Sequence, residues 1–332
     1  MLNRIIDFSI KNELIIGLMT LGLIIWGVYS LKKIPIDAVP DITNNQVQII
    51  TSSPSLGAQE VERLITFPIE QTMSVIPRLD EVRSISRFGL SVVTVIFKDG
   101  VDIYWARQQV NEKLGEAKTN IPEGIGNPEM APISTGLGEI YQYTVFAKKG
   151  FEKKFDAMEL RTIQDWIVRR QLLGTPGVAE VNSFGGLLKQ YEIALSPEKL
   201  RSYNLSISDI FNALQRNNQN TGGAYIDKKP NAYFIRSEGL VSNVDDIEKI
   251  VIKNEGDVPV LIRDVATVNM SPAVRYGALT RNSQEAVGGI VMMLKGENSS
   301  QVVGLVKEKM SQIQKSLPDG VGIEAFLDRS AL

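Results

Sequence analysis

A carboxylate stands where the run "EIYQY" leaves a glycine-rich turn. Glu139 follows Gly136 and Gly138 and enters an otherwise apolar and aromatic stretch. Two readings fit it: a cation ligand offering oxygen to a passing charge, or a glutamate exposed at a strand edge. Other candidate residues carry less. Asp245, Asp246 and Glu248 cluster ahead of a strand, where a solvated helix start explains them through the favourable field at a helix N-terminus. Met292 and Met293 suggest soft-metal ligation, but neighbours on a strand point to opposite faces, so they read as core methionines. The chain has no Cys and no His, which removes disulfides, Cys/His zinc sites, thiol nucleophiles and every imidazole-dependent triad. Serine–lysine and two-carboxylate chemistry stay formally open, but without His or Cys no nucleophile–base constellation presents itself, and the chain reads as a non-enzyme without a cofactor. Neither Gly222-Gly223 nor Gly288-Gly289 belongs to a phosphate-binding GxxxxGK[ST] string. Lys plus Arg total 36 against 38 Asp plus Glu, a balance with no basic footprint for nucleic acid.

These residues need elements to position them. A chain of 332 residues is long for one core, so two or three domains are expected. Leu14 to Leu31, "LIIGLMTLGLIIWGVYSL", carries no charge and as a helix is long enough to span most of a hydrocarbon layer of ~30 Å. Lys32 and Lys33 follow it, and the nearest small residue, Ala38, has Ile36 at the −3 place, so an uncleaved anchor fits better than a secretory signal. Apolar residues on all sides argue against the helix of a soluble core. Trp26 and Tyr29 suit an interfacial belt. Residues 1–13 place Ile5, Ile6 and Ile10 near one face and read as a short amphipathic helix on the cytoplasmic surface, or as a frayed terminus. Charge alone does not orient the helix.

Beyond Asp41 the sequence repeats itself. "PRLDEVRS" from Pro77 reappears as "PGVAEVNS" from Pro176, 99 positions later. "VNEKL" from Val110 reappears as "VKEKM" from Val306, 196 positions later, and each is followed by a turn, "PEGI" or "PDGV". Two offsets in one duplication mean that the second copy holds about 97 extra residues, roughly between Gly186 and Gln284.

Each copy has the same order of elements. In the first, "VQIITS" alternates as a strand, Gly57 to Val75 is helical with a kink at Pro68, "EVRSISRF" and "SVVTVIF" form a hairpin around Gly89, and Asp102 to Lys118 is a helix with Ile103, Ala106, Val110 and Leu114 on one side. In the second, "IYQYTVFA" is a strand, Phe155 to Leu173 a helix, "VAEVNSF" a strand and, after the insert, "AVGGIVMML" a strand and Ser299 to Ser316 a helix. The expected class is α+β: one N-terminal transmembrane helix, then two β-α-β-β-α-β units of the ferredoxin-like kind. The second unit is interrupted by an α+β insert. That insert has the strand "QYEIAL", a helix capped by Ser206, and a hairpin, "GGAYID" with "AYFIRS", whose polar tip around Asp227 to Asn231 is longer than a two-residue turn needs.

The collinear string "IPIDAVPDITNNQVQI", "TFPIEQTMSVIPRLDEVRSISRFGLSVVTVIF", "PISTGLGEIYQYTV", "QDWIVRRQLLGTPGVAEVNSFGG" and "VGGIVMMLKGEN" closely resembles the amino-terminal part of inner-membrane pumps of the resistance-nodulation-division superfamily, heavy-metal efflux class. "STGLGEIYQY" is more similar to the cobalt-zinc-cadmium branch than to the copper-silver branch, and no counterpart of the latter's methionine cluster is present. The resemblance implies a transmembrane helix at 14–32, a first porter subdomain at 42–134, a second at 135–185 with 285–328, and a docking subdomain at 186–284. It implies a proton-driven exporter of metal cations in the bacterial inner membrane, with its bulk in the periplasm. It further implies a homotrimer held through the docking hairpin, Tyr225 to Phe234, and working with an adaptor and an outer-membrane channel. Glu139 would border the substrate cleft and meet the metal, with Asp165 on the following helix as a second metal candidate. Pumps of this class are far longer, so the chain is expected to be a fragment, a truncated product or one segment of a split pump, not transport-competent alone. A multidrug exporter of the same superfamily, or a singly anchored periplasmic binding or adaptor module, would fit parts of the same pattern.

Overall fold

The computed structural model describes residues 10–33, 43–255, 258–275 and 277–329. Most of the stretch read as an amphipathic surface helix lies outside them. Helix α1 runs over Glu13–Lys33, 21 residues, which at ~1.5 Å per residue is about the thickness of a hydrocarbon layer. Its window Glu13–Ser30 has a mean hydropathy of 1.7 and none of it is buried. By length and composition this helix can cross a membrane.

Strand β1 covers Asn45–Ser52, with Val47, Ile49 and Thr51 buried on one face and Gln48 and Ile50 between them on the other. Helix α2 occupies residues 58–73 in three pieces: Ala58–Val61, a π-helical turn at Glu62–Thr66, and Phe67–Met73. Pro68 therefore falls just past a widened turn, where the helical ladder is already re-registered and a missing N–H costs less. Strands β2 (Leu79–Arg87) and β3 (Leu90–Phe97) are joined through Gly89, whose φ of 72° is open to glycine and strained for most other residues. The side chain of Asp102 caps helix α3 (Ile103–Asn120) by accepting from the Trp105 amide at 2.8 Å. Ala106, Val110, Leu114 and Ala117 are buried at the spacing of one helical face. The two-residue strand β4 (Glu129–Met130) completes an antiparallel sheet of order β2-β3-β1-β4. Ile49, Ile65, Ile69, Met73, Val93, Phe97 and Val110 form the core between sheet and helices. Burying a side chain of this size contributes roughly 1.5–3 kcal/mol.

The second copy opens with β5 (Glu139–Ala147). Helix α4 covers residues 157–172, again with a π-helical turn, here at Gln164–Val168. Strand β6 is Val178–Gly185. The insert follows: β7 (Lys189–Leu195), α5 (Pro197–Ser202), α6 (Ile207–Arg216), β8 (Thr221–Lys228), β9 (Asn231–Ser237), α7 (Val244–Glu248), β10 (Val251–Glu255), β11 (Val258–Leu261), α8 (Ile262–Val265), β12 (Ala266–Pro272) and β13 (Leu279–Arg281). The chain then returns through β14 (Gln284–Met293), α9 (Ser299–Ser316) and β15 (Val321–Asp328). Strands β14, β5 and β15 are neighbours in that order, and β6 pairs with β14, so the element order and the strand order of the first sheet are repeated.

The burial pattern carries the same two offsets as the sequence. Ile65, Ile69 and Met73 correspond at 99 positions to Gln164, Val168 and Leu172, all buried; Ala106, Val110, Leu114 and Ala117 correspond at 196 positions to Val302, Val306, Met310 and Ile313, also buried.

Two compact units divide the chain, one of Met1–Phe151, Gln164–Phe184 and Val287–Leu332, the other of Glu152–Ile163 and Gly185–Ala286. Within the second, the Leu187 amide donates to Ala157 O at 3.2 Å, Lys189 Nζ meets Glu159 at 2.8 Å and Arg161 Nη1 donates to Gly185 O at 2.8 Å, which attaches the first turns of α4 to this unit. Its core is built on Leu200, Ile210, Ile247, Val260, Ile262, Val265 and Val268. Ser206 caps α6 in a reciprocal box with Asp209. Asp246, one of the acidic cluster before β10, accepts from the Ser242 amide and hydroxyl at a helix start. The hairpin tip is shorter than the sequence suggests. Lys228 pairs with Asn231, so only Lys229 and Pro230 turn the chain; polar side chains do not stop the backbone ladder from extending to the tip.

Candidate functional site

The turn before β5 is a single 3₁₀ turn, Gly136–Gly138. A Cβ on Gly138 would stand 3.0 Å from the Met293 carbonyl oxygen, so the turn lies against the end of β14 at a distance suited to glycine. Pairing of β5 with β14 then slips by one. Val291 faces Tyr141 while Met292 faces Glu139, which leaves Ile140 as the extra residue of a β-bulge. Such an irregularity re-aims the flanking side chains. Glu139 is half-buried, and its Oε2 accepts from Gln142 Nε2 at 3.0 Å, which puts the carboxylate on the face of the sheet that carries Gln142.

The opposite face, two-fold alternation places under Tyr143. Tyr143 is fully buried and its phenol oxygen accepts from Gln164 Nε2 at 3.0 Å; the same amide reaches Ser183 Oγ at 3.2 Å. Burial pushes the Tyr143 phenol well above its ordinary range, the Gln164 hydrogen bond opposes that, and the charge of Asp165 adds to it. Asp165 is half-buried on α4 and acts on Tyr143, across the sheet from Gln142. The two acidic residues named from the sequence thus sit on different faces of β5 and do not share one coordination sphere. Among the described residues no group of three or more acidic, His or Cys side chains converges as a metal cage.

Sequence reasoning did not single out a further pair of carboxylates. A cleft of about 560 Å³ is lined by Gln48, Ile50 and Ser52 of β1, Glu129 and Met130 of β4, residues of the 131–134 link, and Glu180 of β6. Val181 is fully buried and Ser183 bonds Gln164 on the helix side, so Glu180 projects to the other face. The duplication holds a signal for it. Its counterpart Glu81 accepts from Arg83 at 2.7 Å, which holds that carboxyl below its usual value. In the second copy Asn182 stands where the arginine would be, so Glu180 has no arginine two residues along its own strand.

A family model described as the AcrB/AcrD/AcrF family matches residues 5–332. The chain is 47% identical over 336 residues to the cation efflux system protein CzcA of Alcaligenes sp. (strain CT14) and, over the same length, 47% identical to the cobalt-zinc-cadmium resistance protein CzcA of Cupriavidus metallidurans. It is 39% identical to the cation efflux system protein CusA of Escherichia coli (strain K12). Each alignment takes in 100% of this chain and 32% of the relative, so the chain spans about a third of the length of the proteins it matches. A crystal structure of a heavy metal efflux pump superimposes with a TM-score of 0.85 at 33% identity, covering 98% of this chain and 32% of that one.

Proposed function

The chain belongs to the AcrB/AcrD/AcrF family, and from that premise we propose that it is the N-terminal porter and docking segment of a proton-driven exporter of divalent metal cations. One observation carries the reading: identity of 47% over the whole chain with relatives named for cation efflux and for cobalt, zinc and cadmium resistance, against 39% with the relative named CusA. On this reading the two β-α-β-β-α-β units are ferredoxin-like porter subdomains, at 42–134 and at 135–185 with 285–328, and 186–284 is the docking subdomain. Helix α1 is an anchor in the bacterial inner membrane, with the bulk of the chain on the periplasmic side. The remaining membrane helices and the proton relay belong to parts of the pump beyond this segment, which does not transport alone.

Glu139 is the residue we assign to the metal path, with Asp165 as a second and separate candidate. Without Cys or His, a borderline or hard cation is met by carboxylate, carbonyl and water oxygen. A half-buried carboxylate held by one amide hydrogen bond remains partly desolvated, a cost that a passing cation relieves. A transporter also needs weak, exchangeable ligation, which a single carboxylate supplies and a closed cage does not. The arm β8–β9 supports assembly into a trimer. Among the described residues its strands pair only with each other, and Tyr225 and Phe234 are 62% and 84% exposed, an apolar surface that suits a neighbouring protomer. Adaptor and outer-membrane channel proteins complete the proposed machine.

The reading is tested by expressing the intact pump that contains this segment in a host lacking its own exporters. Protection against zinc, cobalt or cadmium, without protection against organic drugs, is the expected result. Drug protection alone would favour the multidrug alternative.

A further inference from the structure

The Glu139 turn is held from a distant part of the chain. Arg329 Nη1 donates to the Leu137 carbonyl at 2.6 Å, a contact between residues 192 positions apart. Leu137 is the middle residue of the 3₁₀ turn, and Glu139 is the cap that follows it, with φ −71° and ψ 91°. Carbonyls at the end of a short helical turn have no intrahelical donor, and a guanidinium is a strong, directional partner for one. Arg329 is well placed to give it. Strand β15 runs antiparallel beside β5, with Leu327 opposite Gln142 and Asp328 opposite Tyr141, so the next residue arrives beside the turn. Asp328 forms an ion pair with Lys307 of α9, which fixes the backbone from which Arg329 reaches. On the other side the Lys295 amide donates to Ile133 O at 3.1 Å, and Gly138 abuts Met293 O. The turn is therefore clamped between the ends of β14 and β15.

We propose that Arg329 is a positioning residue for Glu139: by fixing the peptide between Leu137 and Gly138 it sets the direction in which the Glu139 carboxylate leaves the turn. This rests on the reading of Glu139 as a cation ligand. The division of contacts fits the role. Arg329 bonds the Leu137 carbonyl, and Glu139 takes its hydrogen bond from Gln142, so an arriving cation does not compete with the guanidinium for the carboxylate.

The test uses the intact pump with Arg329→Gln, Arg329→Lys, Glu139→Gln and the Arg329→Gln/Glu139→Gln double variant, read by hydrogen exchange across residues 133–142 and by zinc transport in proteoliposomes. Arg329→Gln is expected to speed exchange in that peptide about tenfold and to raise the apparent KM for zinc about tenfold with the maximal rate nearly kept. Arg329→Lys is expected to show a smaller rise in both, and the double variant to transport no worse than Glu139→Gln. Unchanged exchange in Arg329→Gln, or losses that multiply in the double variant, would overturn the proposal. If Arg329→Gln does not accumulate, unchanged exchange in Arg329→Lys overturns it instead. Faster exchange together with wild-type transport by Glu139→Gln would refute the ligand reading of Glu139 and leave Arg329 as a contact that orders the turn.

Discussion

Gln164 occupies the core position of the second repeat that Ile65 fills 99 residues earlier in the first, and it bonds the buried phenol of Tyr143 at 3.0 Å. A polar pair thus replaces an apolar contact at one point of a duplicated fold. Removing one member leaves the other buried without its partner, which costs about 1–3 kcal/mol. Gln164→Leu is therefore expected to lower Tm more than Tyr143→Phe, because the Gln164 amide keeps Ser183 when the phenol is lost. The Tyr143→Phe/Gln164→Leu double variant should recover most of the loss, as both polar groups are gone together. Calorimetry of the purified protein decides it: strictly additive losses would contradict the pairing.

The same phenol gives a pH dependence. Its folded-state pKa is raised above the ordinary value of 10.0, first by burial. Folding therefore favours the protonated form. The stabilising contribution is complete below about pH 10, where the unfolded chain is also protonated, and declines as pH rises through the window between the unfolded and folded values. Thermal melts should be level in Tyr143 up to that point and fall beyond it, with a shallower fall in Tyr143→Phe. Identical slopes in the two proteins would show that Tyr143 is not responsible.

Much of this architecture is readable from the chain, because the duplicated fragments preserve the buried positions of both helices. The helix Ser299–Ser316 and the Ser206 cap follow directly from periodicity and capping chemistry. The π-helical turns do not, since one extra residue in a turn leaves the apolar spacing nearly intact. Gly288 and Gly289 are visible as a glycine pair, but their reason is not: a Cβ at either would stand 2.2 Å from the ring of Phe184 or Tyr143, and only the sheet brings those rings there. Glu139 is legible from its glycine-rich context. Its direction is not, because the bulge depends on pairing with Met292 and the clamp on Arg329 comes from far along the sequence. Glu180 becomes legible only when its copy, Glu81, is seen with Arg83.

The hairpin arm makes a separate prediction about assembly. Because β8 and residues 231–236 of β9 are exposed and, among the described residues, neither strand pairs outside the hairpin, deleting Tyr225 to Phe234 should leave each protomer folded while reducing the trimer population of the intact pump. Native mass spectrometry measures this directly. A trimer fraction equal to that of the wild type would reduce the arm to a solvated loop.

The most direct measurement is zinc efflux driven by an imposed proton gradient, in proteoliposomes holding either the intact wild-type pump or its Glu139→Gln variant, which keeps size and removes charge. Cation efflux by the wild type, extending to cobalt and cadmium, is expected, with a marked loss in Glu139→Gln while expression and trimers are unchanged. Equal efflux of all three metals by wild type and variant would contradict it and return Glu139 to the role of a strand-edge glutamate.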